Sequence, residues 1–186
     1  MKFDLTQFDI CKPPLDFYDN YDSFEDAWNA CPRGDWMLWI AARLEIDFRT
    51  LTLAKSRCAR TVIHLMKDIR SINAVEVSEQ YGLGKATEEE LHKAYQEAYD
   101  AASCATSCAA SYTAYDAAVA AFSAATGYAA YASYAASYAT ASYAASSSSS
   151  SAGYAAIAKS TNQQQTSDIC REILTELVFK HINETL

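Results

Sequence analysis

The side chains most able to do chemistry here are three histidines (His64, His92, His181) and six cysteines, and their spacing argues against a reaction centre. A thiolate–imidazole pair on one helix needs its members three or four residues apart, because only those positions lie over one another. Cys58 and His64 are six residues apart and point in well-separated directions, so they make no local dyad. Cys104 and Cys108 do have one-turn spacing, but a structural metal ion wants four ligands and no histidine accompanies them at ligand spacing. They read as slightly enlarged alanines. The sequence also lacks a glycine-rich phosphate loop and paired carboxylates in apolar surroundings. No catalytic residue, metal or cofactor is expected.

The most distinctive constellation suits recognition instead. It is Cys31-Pro32-Arg33-Gly34-Asp35-Trp36-Met37-Leu38-Trp39. Two tryptophans three residues apart, with an arginine and an aspartate in the turn before them, have the residue types of an interface hot spot. Arg33, Asp35, Trp36 and Trp39 are therefore candidate partner-binding residues. The competing reading puts both tryptophans in the core and makes Asp35 a helix cap paired with Arg33 or Arg60. Asp19 and Asp22 are further candidates, from an acidic arm. The first 30 residues hold two basic and seven acidic side chains, and the whole chain carries −8. That balance argues against phosphate-driven nucleic-acid binding and favours a protein partner with a basic surface.

The elements that must position these residues are all helices. No stretch alternates convincingly, so the fold class is all-α, a bundle with short N-terminal helices and long Ala/Ser/Tyr-rich ones. Residues 1–22 are expected to be irregular, since Pro13-Pro14 opposes helix. Ser23 opens a short helix to about Cys31. Asp35 is expected to cap a second, whose shared face holds Trp36, Trp39, Ile40 and Arg43/Leu44. Asp47 caps a third, with Leu51, Ala54, Cys58, Val62, Leu65, Met66 and Ile69 on one face. A break follows near Lys67–Ser71, then a helix to about Tyr81. His64 is placed at the edge of the core, beside Asp68 or Arg60.

The second half is unusual. Residues 101–158 hold 25 Ala, 13 Ser and 8 Tyr, with Asp116 as their only charge before Lys159. Alanine is the best helix former. Thr87-Glu88-Glu89-Glu90 makes a capping box at the start of a helix expected to run to Ala125. Gly127 is the expected turn, a second helix covers about Tyr128–Ala145, and Ser146–Ser151 is a weak point. Thr161-Asn162-Gln163-Gln164 is read as the cap of a separate last helix. One domain over 1–186 is expected, in three parts: 1–84 with the Trp-rich turn, 85–160 as a hairpin or bent helix, and 161–186. Alanine seams such as Ala117, Ala121 and Ala124 bury little each, so Tyr95, Tyr99, Tyr131, Tyr134, Tyr138 and their neighbours are expected to supply the bulk. The alternative makes one tyrosine stripe a binding face, since interfaces are rich in Tyr and poor in charge.

Met1-Lys2-Phe3-Asp4 leads into acids rather than an apolar core, so no signal peptide is read. Ser and Tyr interrupt the alanine tract too often for a membrane span. A cytoplasmic protein with reduced thiols is expected, and the sequon at Asn183 is expected to be idle.

Taken in order, Ser23-Phe24-Glu25-Asp26-Ala27-Trp28, the Cys31–Trp39 stretch, Cys58-Ala59-Arg60 with His64-Leu65, and Gly84-Lys85-Ala86-Thr87-Glu88-Glu89-Glu90-Leu91 before an Ala-rich helix resemble the Imm-5-like immunity proteins of bacteria and phages. The resemblance covers nearly the whole chain. It implies an all-α protein that neutralises a cognate toxin by stoichiometric binding. The alternative is a structural or self-associating helical protein, homo-oligomeric through its Ala/Tyr faces.

Overall fold

Three caps read from the sequence are in place. Ser23 accepts from the Asp26 amide and Asp47 from the Thr50 amide, both at 3.0 Å. In the Thr87 box, the Thr87 amide donates to Glu90 Oε2 at 2.7 Å while the Glu90 amide donates to Thr87 Oγ1 at 3.2 Å. Each supplies partners for amides that a helix start leaves unbonded.

The structure is a computed structural model describing residue 5 and residues 12–107, 112–125, 131–147 and 151–185. Nine helices occupy those residues: α1 (Lys12–Asp19), α2 (Phe24–Ala30), α3 (Gly34–Arg43), α4 (Phe48–Arg60), α5 (Ile69–Gly82), α6 (Glu88–Ser107), α7 (Tyr112–Ala124), α8 (Tyr131–Ser147) and α9 (Ser151–Thr185). A 3₁₀ turn, Ile63–Leu65, lies between α4 and α5. The described residues contain no strand, and the fold is an all-α bundle. No helix among them is long and apolar enough to cross a membrane.

Cross-helix bonds give the directions. Arg60 pairs with Glu79 and Arg49 donates to the Tyr81 carbonyl, so α5 runs back along α4. Ser142 donates to Asp116, pairing α8 with α7. Ser133 with Thr166 and Tyr138 with Lys159 set α9 antiparallel to α8. The alanine tract is thus folded back on itself rather than drawn out as one bent helix.

Several expectations are corrected. The segment 12–19 is helical: the prolines occupy its first turn, where a missing N–H costs nothing. Helix α3 begins at Gly34 and has no side-chain cap, so Asp35 does not cap it. Its buried apolar side chains are Met37, Leu38, Ile40 and Ala41, while Trp36 and Trp39 lie half-buried at the edge. The break after α4 comes at Thr61, earlier than expected. Ile69, placed on the buried face, is exposed once the new helix α5 rotates it outward. His64 is exposed, and Asp68 caps α5 and holds Arg70 instead.

The stretch from Thr87 to Ala125 forms two helices, α6 and α7, rather than one; residues 108–111 between them, and the expected turn at Gly127, lie outside the described residues. Helix α8 is described to Ser147, and most of the expected weak point, residues 148–150, lies outside the described residues. Thr161-Asn162-Gln163-Gln164 starts nothing, because α9 passes straight through it for about 50 Å at 1.5 Å per residue. Asn162 is buried there and donates across to Thr61 Oγ1 at 2.9 Å, so this turn is held in tertiary packing rather than at a helix start.

Two large cores and two small clusters hold the bundle among the described residues. The first joins α2, α3, α4 and α9 around Trp28, which is fully buried and donates its indole N–H to Thr175 Oγ1 at 3.0 Å. In the second, alanines of α7 and α8 such as Ala117, Ala121, Ala136 and Ala139 pack on Val62, Leu65, Met66 and Val75. Much of the bulk that small seams lack comes from these aliphatics: Tyr99, Tyr131, Tyr134 and Tyr138 are exposed, whereas Tyr95 is half-buried and does pack, on Tyr81, Leu91 and Ala125. The side chains of Tyr112, Tyr115, Phe122 and Tyr128 lie outside the described residues.

Candidate functional site: a tyrosine face beside the Arg33–Trp36 turn

Three helices meet on small residues. A Cβ on Gly34 would stand 2.7 Å from the Thr166 carbonyl carbon, so α3 begins in direct backbone contact with α9. Ser133 of α8 donates to Thr166 Oγ1 at 2.8 Å. Cys170 donates to the Gly34 carbonyl at 3.6 Å, and Arg171 to the Cys31 carbonyl at 2.8 Å. These contacts bring the first turn of α3 against the middle of the bundle, next to the outer face of α8.

That outer face is a row of rings. In α8, Ala132, Ser133, Ala135, Ala136, Ser137 and Ala139 are buried, while Tyr131, Tyr134 and Tyr138 are exposed at 54%, 42% and 37%, as is Tyr143 nearer the end. Spacings of three and four keep them on one stripe. Ring centroids lie 6.2 Å apart for Tyr131–Tyr134 and 4.6 Å for Tyr134–Tyr138. Lys159 of α9 places its ammonium 3.8 Å above the Tyr138 ring. Hydrogen bonding links the two phenols. Tyr134 is pushed up to about 12, chiefly by its bond to Tyr138, whereas that same bond and then the one to Lys159 pull Tyr138 below the ordinary phenol value.

Arg33 completes the patch. Its Nε donates to Asp35 Oδ1 at 2.8 Å, its Nη2 pairs with Oδ2, and its guanidinium lies 4.7 Å over the Trp36 ring. The Asp35 hydrogen bond raises the Arg33 pKa further. Arg33 is near enough to Tyr134 and Tyr138 for its charge to favour their ionised forms.

Of the residues singled out from sequence, Arg33, Asp35 and Trp36 form one unit. Asp35 is only 7% exposed and its carboxylate is taken up by Arg33, so it positions Arg33 rather than facing outward. Trp39 lies one turn further on, with Arg43 5.1 Å over its ring. Asp19 and Asp22 are exposed, at the end of α1 and in the turn before α2. They flank Tyr21, whose neighbour Phe17 packs on Trp36 at 5.7 Å. Lys159 was not anticipated: it is one charge at the end of a neutral tract, and only folding places it over Tyr138.

The other reactive groups stay apart or inert. His64, His92 and His181 occupy three separate elements, and no group of three His, Cys, Asp or Glu that could hold a metal occurs among the described residues. Cys31, Cys58 and Cys170 are free and buried. Burial pushes Cys31 up to about 11 and Cys170 well above the usual thiol range, the latter aided by its bond to Cys58. Thiols so held are poor nucleophiles. Cys11 and the side chains of Cys104 and Cys108 lie outside the described residues.

Compared with known proteins, the chain matches no family model, no curated protein and no solved structure.

Proposed function

We propose that this chain is a stoichiometric binding protein, an immunity protein that neutralises a cognate protein toxin in the bacterial cytoplasm by covering its working surface. The observation that carries the reading is the exposed row Tyr131, Tyr134, Tyr138 beside Arg33 and Trp36. Tyr, Trp and Arg are the residues on which interfaces concentrate binding energy, and rings held by neighbours lose little entropy on docking. The resemblance of the Ser23–Trp39 and Gly84–Leu91 stretches to Imm-5-like immunity proteins supports the same reading. It requires no catalytic residue, metal or cofactor. Asp19 and Asp22, at the acidic end beside Tyr21, face a basic patch on the toxin and quicken the encounter at low salt.

The test is inducible expression of the open reading frames that neighbour this gene, with and without it. A neighbour that stops growth alone, is harmless together and co-purifies one to one supports immunity. If no neighbour is toxic, the reading fails. A second reading uses the same rings, because an exposed aromatic stripe also suits a second copy. Light scattering from micromolar to millimolar concentration decides it: a strict monomer removes self-association.

A further inference from the structure

Cys31, Cys58 and Cys170 share the core around Trp28, and two of these thiols face each other. Cys58 of α4 donates its S–H to the Thr166 carbonyl of α9, 3.8 Å away. In a helix that carbonyl also takes the amide four residues on, so the Cys58 sulfur stands at the foot of Cys170. Helical side chains lean towards the N-terminus, which carries the Cys170 thiol back over the turn that holds Thr166. There it is hydrogen-bonded to the Cys58 thiol and donates to the Gly34 carbonyl at 3.6 Å. Cys31 is directed elsewhere, its Sγ 3.5 Å from the Arg33 carbonyl. A disulfide needs Cβ atoms about 3.5–4.5 Å apart, and two thiols already in hydrogen-bonding contact across facing helices are close to that arrangement.

We infer that Cys58 and Cys170 form a redox lock set at folding: a chain that folds in the presence of a small disulfide oxidant closes this bond and ties α4 to α9. The inference is independent of the binding-protein reading. Both thiols are wholly buried in the native bundle, so the chemistry belongs to the unfolded or opened chain, where they are accessible. The Cys58 thiolate attacks one sulfur of oxidised glutathione, making a mixed disulfide and expelling a glutathione thiolate, which takes up the proton that Cys58 lost. As α9 packs on α4, the Cys170 thiolate attacks the Cys58 sulfur and expels the second glutathione in the same way. Two protein thiols are oxidised, and one oxidised glutathione is reduced to two molecules of glutathione. The bond encloses α5, α6, α7 and α8 in one loop, and cross-links that close long loops restrict the unfolded chain most. Once closed it lies in a core that glutathione does not enter, so the bond reopens only when the chain unfolds.

The test refolds the full chain from urea by dilution, once with glutathione alone and once with a mixture of oxidised and reduced glutathione. Remaining thiols are then blocked with iodoacetamide in urea, and the chain is digested and mapped by mass spectrometry without reduction. The oxidised preparation is expected to yield the Cys58 peptide joined to the Cys170 peptide as its main cross-link, although six cysteines compete. Its urea midpoint is expected to rise by about 1 M or more over the reduced preparation. Glutathione added afterwards is expected to open the bond in urea and to leave it closed in buffer. Cys58→Ala, which keeps the core apolar, is expected to lose the rise in midpoint, whereas Cys31→Ala keeps it. The peptide map uses the native sequence, so it decides the matter even where a variant fails to fold. Cys58 or Cys170 joined mainly to Cys31 or another cysteine, both recovered as blocked thiols, a cross-linked chain with no rise in midpoint, or reduction as fast in buffer as in urea overturns the inference.

Discussion

Gly34 touches Thr166 so closely that a Cβ on the glycine would stand 2.7 Å from both the carbonyl carbon and Oγ1 of the threonine. The contact joins the start of α3 to α9, with Ser133 of α8 bonded to the same hydroxyl. It fixes where Arg33, the next residue back, stands relative to the tyrosine row.

Replacing Gly34 by alanine therefore forces backbone apart. Overpacking of this kind costs about 1–3 kcal/mol, and Gly34→Ala is expected to fall in that range by urea denaturation. It is also expected to perturb the ring signals of Tyr134 and Tyr138, although neither is mutated. Unchanged stability and spectra would show that α3 and α9 are not in contact at this point.

Lys55 makes stability depend on pH in an unusual direction. It is buried in α4, its ammonium 4.9 Å from the Phe48 ring centroid, and burial lowers its pKa to about 7. Unfolded, it titrates near ~10.4. Below about pH 7 both states are protonated, and the folded state carries the cost of burying that charge. Above that value the unfolded state holds a proton that the folded state has released, so stability rises, approaching about 1.4 kcal/mol per pH unit. From about pH 8.5 the raised thiols Cys31 and Cys170 act in the opposite sense, since their unfolded forms ionise first. Urea unfolding at pH 6.5, 7.5 and 8.5 is expected to show the rise in the native sequence and not in Lys55→Met, whose gain in stability is largest at pH 6.5. A native profile that falls over this interval would contradict a depressed Lys55.

The two linked phenols are expected to ionise far apart. Tyr138, which its Tyr134 bond and then Lys159 hold low, loses its proton well before Tyr134, which is pushed up to about 12. In an NMR titration of ring-labelled tyrosine, Tyr134→Phe should raise the Tyr138 pKa most and Lys159→Gln less. Equal titration of the two phenols would dissolve the hydrogen-bonded pair.

Cys31, Cys58 and Cys170 are predicted to resist iodoacetamide at neutral pH until the chain unfolds, because all three are buried and Cys31 and Cys170 are held protonated. Mass-spectrometric mapping of these positions with and without urea checks it. Native labelling of Cys58 or Cys170 as fast as in urea would mean that α4 and α9 separate readily.

What the sequence by itself determined is the all-α class and several helix starts, but not the inventory: α1, the separation of α6 from α7 and the early start of α9 were not legible. Ser23, Asp47 and the Thr87–Glu90 box are legible because capping is a bond between neighbours, complete within one turn. All-α character follows from alanine propensity and the lack of alternation, which are equally local. Local patterns misled where tertiary bonds outbid them. Asn162 sits in a capping pattern and instead reaches Thr61 across the bundle; Asp35 fails as a cap for a local reason, holding Arg33 two residues back, one of the two partners the sequence offered. The candidate site was half legible: both the Arg33–Trp36 turn and the tyrosine stripe stand out by residue type. Only the tertiary structure decided that they are one surface, with Lys159 at its edge. A helix made of Ala, Ser and Tyr has no strong apolar stripe to declare which side is inward, so burial is decided by backbones approaching over small residues. The close contact of Gly34 with Thr166 brings α3 onto α9, and the bond of Ser133 to the same threonine hydroxyl puts α8 alongside.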